Sequence, residues 1–107
     1  MQGQTLVDID DTQIGELLIR SGLTVLLVTS AWDGHGVIMH ALLGSLSGRY
    51  QNVSFVTATV EESPIICKVF NVTNPPGLLF VKDGELIDQV QGAVGGSTII
   101  DLIEQNS

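Results

Sequence analysis

Apolar and polar positions fall into two rhythms along the chain. Leu23, Val25, Leu26, Leu27 and Val28 form a run apolar on both faces, which predicts a central strand covered by helices on each side. Residues 5–9 and 53–60 read as further strands. Two more, at residues 78–81 and 85–91, flank Lys82-Asp83-Gly84, and Asp-Gly between β-rich runs signals a tight hairpin. Between these runs the spacing changes to that of a helix. Asp10, Asp11 and Thr12 offer capping side chains ahead of Ile14, Leu17 and Leu18, and Gly22 closes that helix. A second helix carries Val37, Ile38, Ala41, Leu42, Leu43 and Leu46 after a loop at residues 30–36; Gly44 and Gly48 each weaken it by roughly 1 kcal/mol relative to alanine. Ser63-Pro64 supplies an N-cap and a first-turn proline for a short helix through Phe70. After a loop at residues 71–77, the hairpin and a turn at residues 92–96, Ser97 caps a last helix bearing Ile99, Ile100, Leu102 and Ile103. The predicted order is β-α-β-α-β-α-β-β-α, an α/β fold with a central mixed β-sheet flanked by helices and a single domain over residues 1–107.

Composition narrows the function classes. Hydrophobic residues make up 44% of 107, enough for a packed core rather than a disordered acidic tail. Twelve acidic residues against four basic ones give a net charge of −8, which repels phosphate backbones and anionic lipid, so no nucleic-acid or membrane partner is expected. The longest apolar run is far short of a membrane span. The first residues lack a basic stretch followed by an apolar one, and cytoplasmic location is the default expectation. A lone cysteine, Cys67, excludes an internal disulfide, a CxxC pair and a cysteine-rich zinc site.

Five segments in order resemble the thioredoxin family across almost the whole chain. Val7-Asp8-Ile9-Asp10-Asp11-Thr12 with Glu16-Leu17 is similar to that family's first strand and helix. Val25 to Trp32 resembles the strand leading to the tryptophan before the redox motif. Val60-Glu61-Glu62-Ser63-Pro64 with Phe70-Asn71-Val72 matches the third strand and short helix. Pro76-Gly77-Leu78-Leu79-Phe80-Val81-Lys82-Asp83-Gly84-Glu85 matches the segment starting at the family's cis-proline, and Gly92-Ala93 falls at its Val-Gly-Ala-like turn. The resemblance implies a thioredoxin-like fold, with Pro76 preceded by a cis bond.

The departures from that pattern carry the functional expectation. Where the family has Trp-Cys-Gly-Pro-Cys, this chain has Trp32-Asp33-Gly34-His35-Gly36. Dithiol exchange needs a nucleophilic thiolate and a second thiol to resolve the mixed disulfide, and Asp33 and Gly36 supply neither. By the same resemblance, Leu27 stands at the position of the family's buried aspartate and Thr57 at that of its nearby lysine. Four elements of one mechanism are missing together. The family also holds an extended peptide through the backbone of the residue before the cis-proline; here that residue is Pro75, which has no N–H to donate.

Individual residues keep two readings each. Cys67 reads as a small buried hydrophobe, or as a monothiol taking up glutathione or an intermolecular disulfide; its only cationic neighbour in sequence is Lys68. Asp33 reads as a cap for the helix that follows; with His35 it reads as an incomplete metal site, and His40 lies five residues past His35, a poor same-face spacing. Trp32 packs against its loop or contacts a partner. The expectation is a redox-inactive thioredoxin-like module, leaning away from an enzyme, that binds a protein or peptide partner through Trp32, Asp33, Gly34, His35, Pro75, Pro76 and Ala93 without cofactor or metal. The rivals are a monothiol oxidoreductase using Cys67 and an assembly factor that holds a precursor protein during maturation.

Overall fold

The computed structural model describes residues 6–31 and 34–107, with the backbone alone at His35. Val7–Asp8 (β1) leads through a 3₁₀ turn at Asp11–Gln13 to the helix Ile14–Ile19 (α1). Leu23–Thr29 (β2), Gly34–Ser47 (α2), Val53–Thr59 (β3) and Pro64–Val69 (α3) follow, then the hairpin of Gly77–Lys82 (β4) and Glu85–Gln91 (β5), and finally Gly96–Asn106 (α4). The strands form one sheet in the order β1-β3-β2-β4-β5. β1 and β2 run parallel to β3, whereas β4 is antiparallel to β2 and β5 to β4, so the sheet is mixed.

The continuous apolar run places β2 at the centre, because both of its faces must be covered. Val25 and Leu27 join Phe55, Leu78 and Phe80 on one face, packed against Met39 and Leu43 of α2 and Ile99 and Ile103 of α4. The intervening Leu26 and Val28 join Val56, Ala58, Leu79 and Val81 on the other, against Leu17, Ile66 and Phe70. Each fully buried Leu, Ile, Val or Phe contributes about 1.5–3 kcal/mol relative to its exposed state.

Local chemistry fixes the joints. Asp10 closes a capping box on the 3₁₀ turn: the Thr12 hydroxyl and amide donate to its carboxylate, and its own amide donates to Gln13 Oε1. The Thr12 hydroxyl first, and its amide second, hold that carboxyl below the usual range. At the end of α3, Asn71 adopts φ 57°, the Val72 amide donates to the Cys67 carbonyl at 2.8 Å and the Asn71 amide to that of Lys68, which is a Schellman closure. At the hairpin tip, Asp83 and Gly84 have φ 52° and 83°, the positive pair a type I′ turn requires. The tip is tied to the start of β2, since the Gly22 amide donates to Asp83 Oδ1 at 2.8 Å and the Asp83 amide to the Gly22 carbonyl at 3.0 Å.

Four expectations are corrected. The helix α2 starts at Gly34, so Gly34 to Gly36 form its first turn rather than a loop, and it stops at Ser47, which leaves Gly48 outside. Val37 and Ile38 are solvent-facing at 72% and 61% exposure, and Met39, absent from the expected apolar set, is buried in their stead. Ser63 is the N-cap residue of α3, yet its hydroxyl makes no capping bond; the Asp11 carboxylate, far back in the chain, accepts from the Ile65 and Ile66 amides at 3.0 and 2.9 Å. The final helix begins at Gly96 with Gly95 as N-cap, so the cap lies two residues before the expected Ser97.

Candidate functional site

The C-terminal end of β2 and the loop before β4 meet at one edge of the sheet. The loop is fixed by short polar contacts. Gln91 Oε1, at the end of β5, accepts from the Thr73 hydroxyl at 3.1 Å and the Asn74 amide at 3.2 Å. The Pro76 carbonyl accepts from the Gly92 amide at 2.7 Å. Gly92 has φ 93°, a conformation open to glycine without strain, so this bond brings the Gly92-Ala93 turn beside the prolines. The Pro75–Pro76 bond is cis, Pro76 is buried, Pro75 half-buried and Ala93 exposed. Pro75 therefore presents a carbonyl acceptor at this edge and no donor.

On the β2 side, the Val60 amide donates to the Thr29 carbonyl at 2.8 Å, and the Ala31 amide to Glu61 Oε1 at 3.2 Å. Gly34 is the exposed first residue of α2. Trp32 and Asp33 lie outside the described residues, as does the His35 side chain. The structure thus brings Pro75, Pro76 and Ala93 together. Neither the cap nor the metal reading of Asp33 and His35 falls within what it describes. Among the described residues, no group of three or more His, Cys, Asp or Glu side chains is placed to hold a metal ion.

Cys67 is elsewhere. It lies on α3, half-buried against the cluster of Ile66, Phe70 and Leu79, on the sheet face opposite α2. Burial pushes its thiol up, with the negative charges of Asp11 and then Glu61 adding to the shift. A raised thiol is mostly protonated near neutral pH and a poor nucleophile. Leu27 and Thr57 are cross-strand partners on β2 and β3, 0% and 4% exposed. An apolar side chain and a neutral hydroxyl occupy that buried pair.

Sequence reasoning missed Gln91 as a brace of this edge and Glu61 as the acceptor for the Ala31 amide. Gln91 reads as the exposed end of an alternating strand, and its contacts depend on a loop fifteen or more residues away. Glu61 carries a signal only as an acid near a helix start.

The thioredoxin family model matches residues 6–105. The chain belongs to the thioredoxin family. Among relatives, thioredoxin-3 of Saccharomyces cerevisiae mitochondria is 34% identical over 82 residues, 77% of this chain and 65% of that protein. The TPR repeat-containing thioredoxin TDX of Oryza sativa is 32% identical over 83 residues, 78% of this chain and 26% of its own. The crystal structure of oxidised yeast mitochondrial thioredoxin 3 superposes with a TM-score of 0.84 at 29% identity, covering 94% of each chain. The chain spans 26%, 55% and 20% of three curated relatives it matches. The chain's single cysteine is Cys67, on α3.

Proposed function

We propose that this thioredoxin-family domain binds an extended segment of a protein partner along the Pro75–Pro76 edge and the Gly92-Ala93 turn, without exchanging disulfides. The observation that carries the reading is the bracing of this edge: Gln91 and Gly92 hold the Thr73 to Pro76 loop by three hydrogen bonds, while Ala93 stays open to solvent. A preset edge lowers the ordering cost of binding a flexible chain. Loss of the Pro75 donor removes one of the two backbone bonds that strand addition would use, so side-chain contacts must supply more of the affinity. Membership of the thioredoxin family supports the protein-binding part of the reading. A TPR repeat-containing relative shows the same domain joined to repeats within one chain. The assembly-factor reading is a special case of this binding role.

Two measurements test it. In an insulin-reduction assay with dithiothreitol, the protein is expected to match the reductant alone; turnover that Cys67→Ser abolishes would overturn the redox-inactive part. Binding of reduced, S-alkylated ribonuclease A, a permanently extended chain, is expected to fall at least tenfold in Ala93→Arg. Equal binding by wild type and this exposed-site variant would remove the edge from the proposal.

A further inference from the structure

A cavity of about 430 Å³ lies between the end of β2 and the start of α2, lined by Thr29, Ser30, Gly36, Val37, His40 and Ala41. It shares no lining residue with Pro75, Pro76 or Ala93. Gly36, Val37 and Ala41 give it apolar walls; Thr29, Ser30 and His40 are its polar points. The first turn of α2 leaves Val37 72% exposed at this wall, and Ile38 beside it 61% exposed. Its volume is within the range of sites that enclose small ligands, roughly 300–1,000 Å³.

Charge is segregated with respect to this cavity. The turn between β3 and α3 places exposed Glu61 beside it, with Glu61 Oε1 accepting from the Ala31 amide, next in sequence to the lining residue Ser30. The chain has four Lys and Arg residues. Lys82 pairs across from Leu23 at the start of β2, Arg20 immediately precedes that strand, and Arg49 precedes β3, whose first residue also pairs with Leu23. Three of the four cations therefore sit at the opposite end of the sheet. Lys68 is on α3, which packs on the other face. The end bearing the cavity therefore combines apolar walls with the Glu61 carboxylate, away from three of the four cations.

We infer that this cavity takes a bulky apolar side chain of a basic partner segment, with the lysine or arginine that follows it paired to Glu61. This rests on the binding reading above and names the partner's chemistry, but on a wall that can fail separately from the Pro75–Ala93 edge. Apolar burial supplies affinity, and the exposed ion pair supplies selectivity and a salt dependence.

The test is a titration of the ¹⁵N-labelled protein with two six-residue peptides. One has phenylalanine followed by two lysines, and the other phenylalanine followed by two glutamates. The lysine peptide is expected to shift the amide signals of Thr29, Val37, His40 and Ala41 and to bind at least tenfold more tightly than the glutamate peptide. Ala41→Phe, which fills the hole from an exposed position, is expected to weaken it at least tenfold. Glu61→Gln should weaken it several-fold and flatten its salt dependence. Shifts confined to Gly92, Ala93 and residues 73–76 would overturn the cavity as the site and leave the edge reading standing. Equal binding of both peptides would overturn the charge assignment, and no shift at millimolar peptide would overturn the proposal.

Discussion

At the scale of single residues, an aspartate and a serine show how caps are assigned in three dimensions. Ser63 occupies the N-cap position of α3, but it is Asp11 whose carboxylate meets the Ile65 and Ile66 amides. The Ser63 hydroxyl is fully buried and has no hydrogen-bond partner among the described residues. Asp11→Ala is therefore expected to cost about 0.5–2 kcal/mol, with Asp11→Asn recovering much of it, whereas Ser63→Ala should be neutral or slightly stabilising. Urea midpoints of the three variants check this; a larger loss from Ser63→Ala than from Asp11→Ala would refute the assignment. Cys67 offers a second residue-scale test. Burial, and then Asp11 and Glu61, raise its pKa in the folded state, so the folded protein holds the thiol proton longer than the unfolded chain. The associated stability is complete below the ordinary value of 9.0 and is lost as pH rises through the folded value. Urea midpoints taken from pH 8 to pH 10 should fall more steeply for wild type than for Cys67→Ala. The native thiol should also react slowly with a disulfide reagent at pH 7 until denaturant is added.

Elements fit together here through joints rather than through propensity alone. The β4–β5 hairpin docks its tip on α1: a Cβ added at Gly84, which has φ 83°, would overlap the Leu18 carbonyl oxygen. Gly84→Ala combines a left-handed backbone, costing a side-chain-bearing residue roughly 1–2 kcal/mol, with that overlap, so a loss of at least about 2 kcal/mol is expected. Asp83→Asn keeps both an αL-tolerant residue and an acceptor for the Gly22 amide, and its thermal midpoint should stay close to wild type. A Gly84→Ala midpoint equal to that of Asp83→Asn would show that the tip is not docked as described. The hairpin was legible because Asp83-Gly84 is a local signal with a fixed backbone demand, and β2 was legible because a run buried on both faces needs no partner to be recognised. The start of α2 was not. Gly34 and Gly36 read as loop residues in isolation, and helix here is imposed by the burial of Met39 and Leu43 further along. The same helical phase turns Val37 and Ile38 outward, which composition alone cannot show.

For the whole molecule, the relation between the thioredoxin fold and a Trp32 motif without cysteines can be put to a direct test. The thioredoxin resemblance was legible from five short segments in order, since those residues serve turns, caps and core positions that the fold itself needs. The edge contacts of Gln91 and the Glu61–Ala31 bond were not, because both join residues distant in sequence. At the centre lies the Leu27–Thr57 pair, where the family resemblance implies an aspartate and a lysine. Leu27 is fully buried among Val25, Met39, Phe55 and Phe80, so the position now belongs to the core. Installing the thiols alone, as Asp33→Cys with Gly36→Cys, is expected to give a slow insulin reductase at most, since the described residues include no buried carboxylate of the kind that the family resemblance implies for handling the resolving thiol's proton. Adding Leu27→Asp would lose the packing of a leucine, about 2–5 kcal/mol when cut to alanine, and bury an acid opposite a neutral threonine. Against a typical total of 5–15 kcal/mol, a loss above about 3 kcal/mol should be plain in the urea midpoint. Adding Thr57→Lys on the facing strand should return part of that loss if the two side chains pair. If Leu27→Asp instead left the midpoint unchanged while speeding insulin reduction, the site would still be built for proton handling, and the domain would be a thioredoxin lacking only its cysteines.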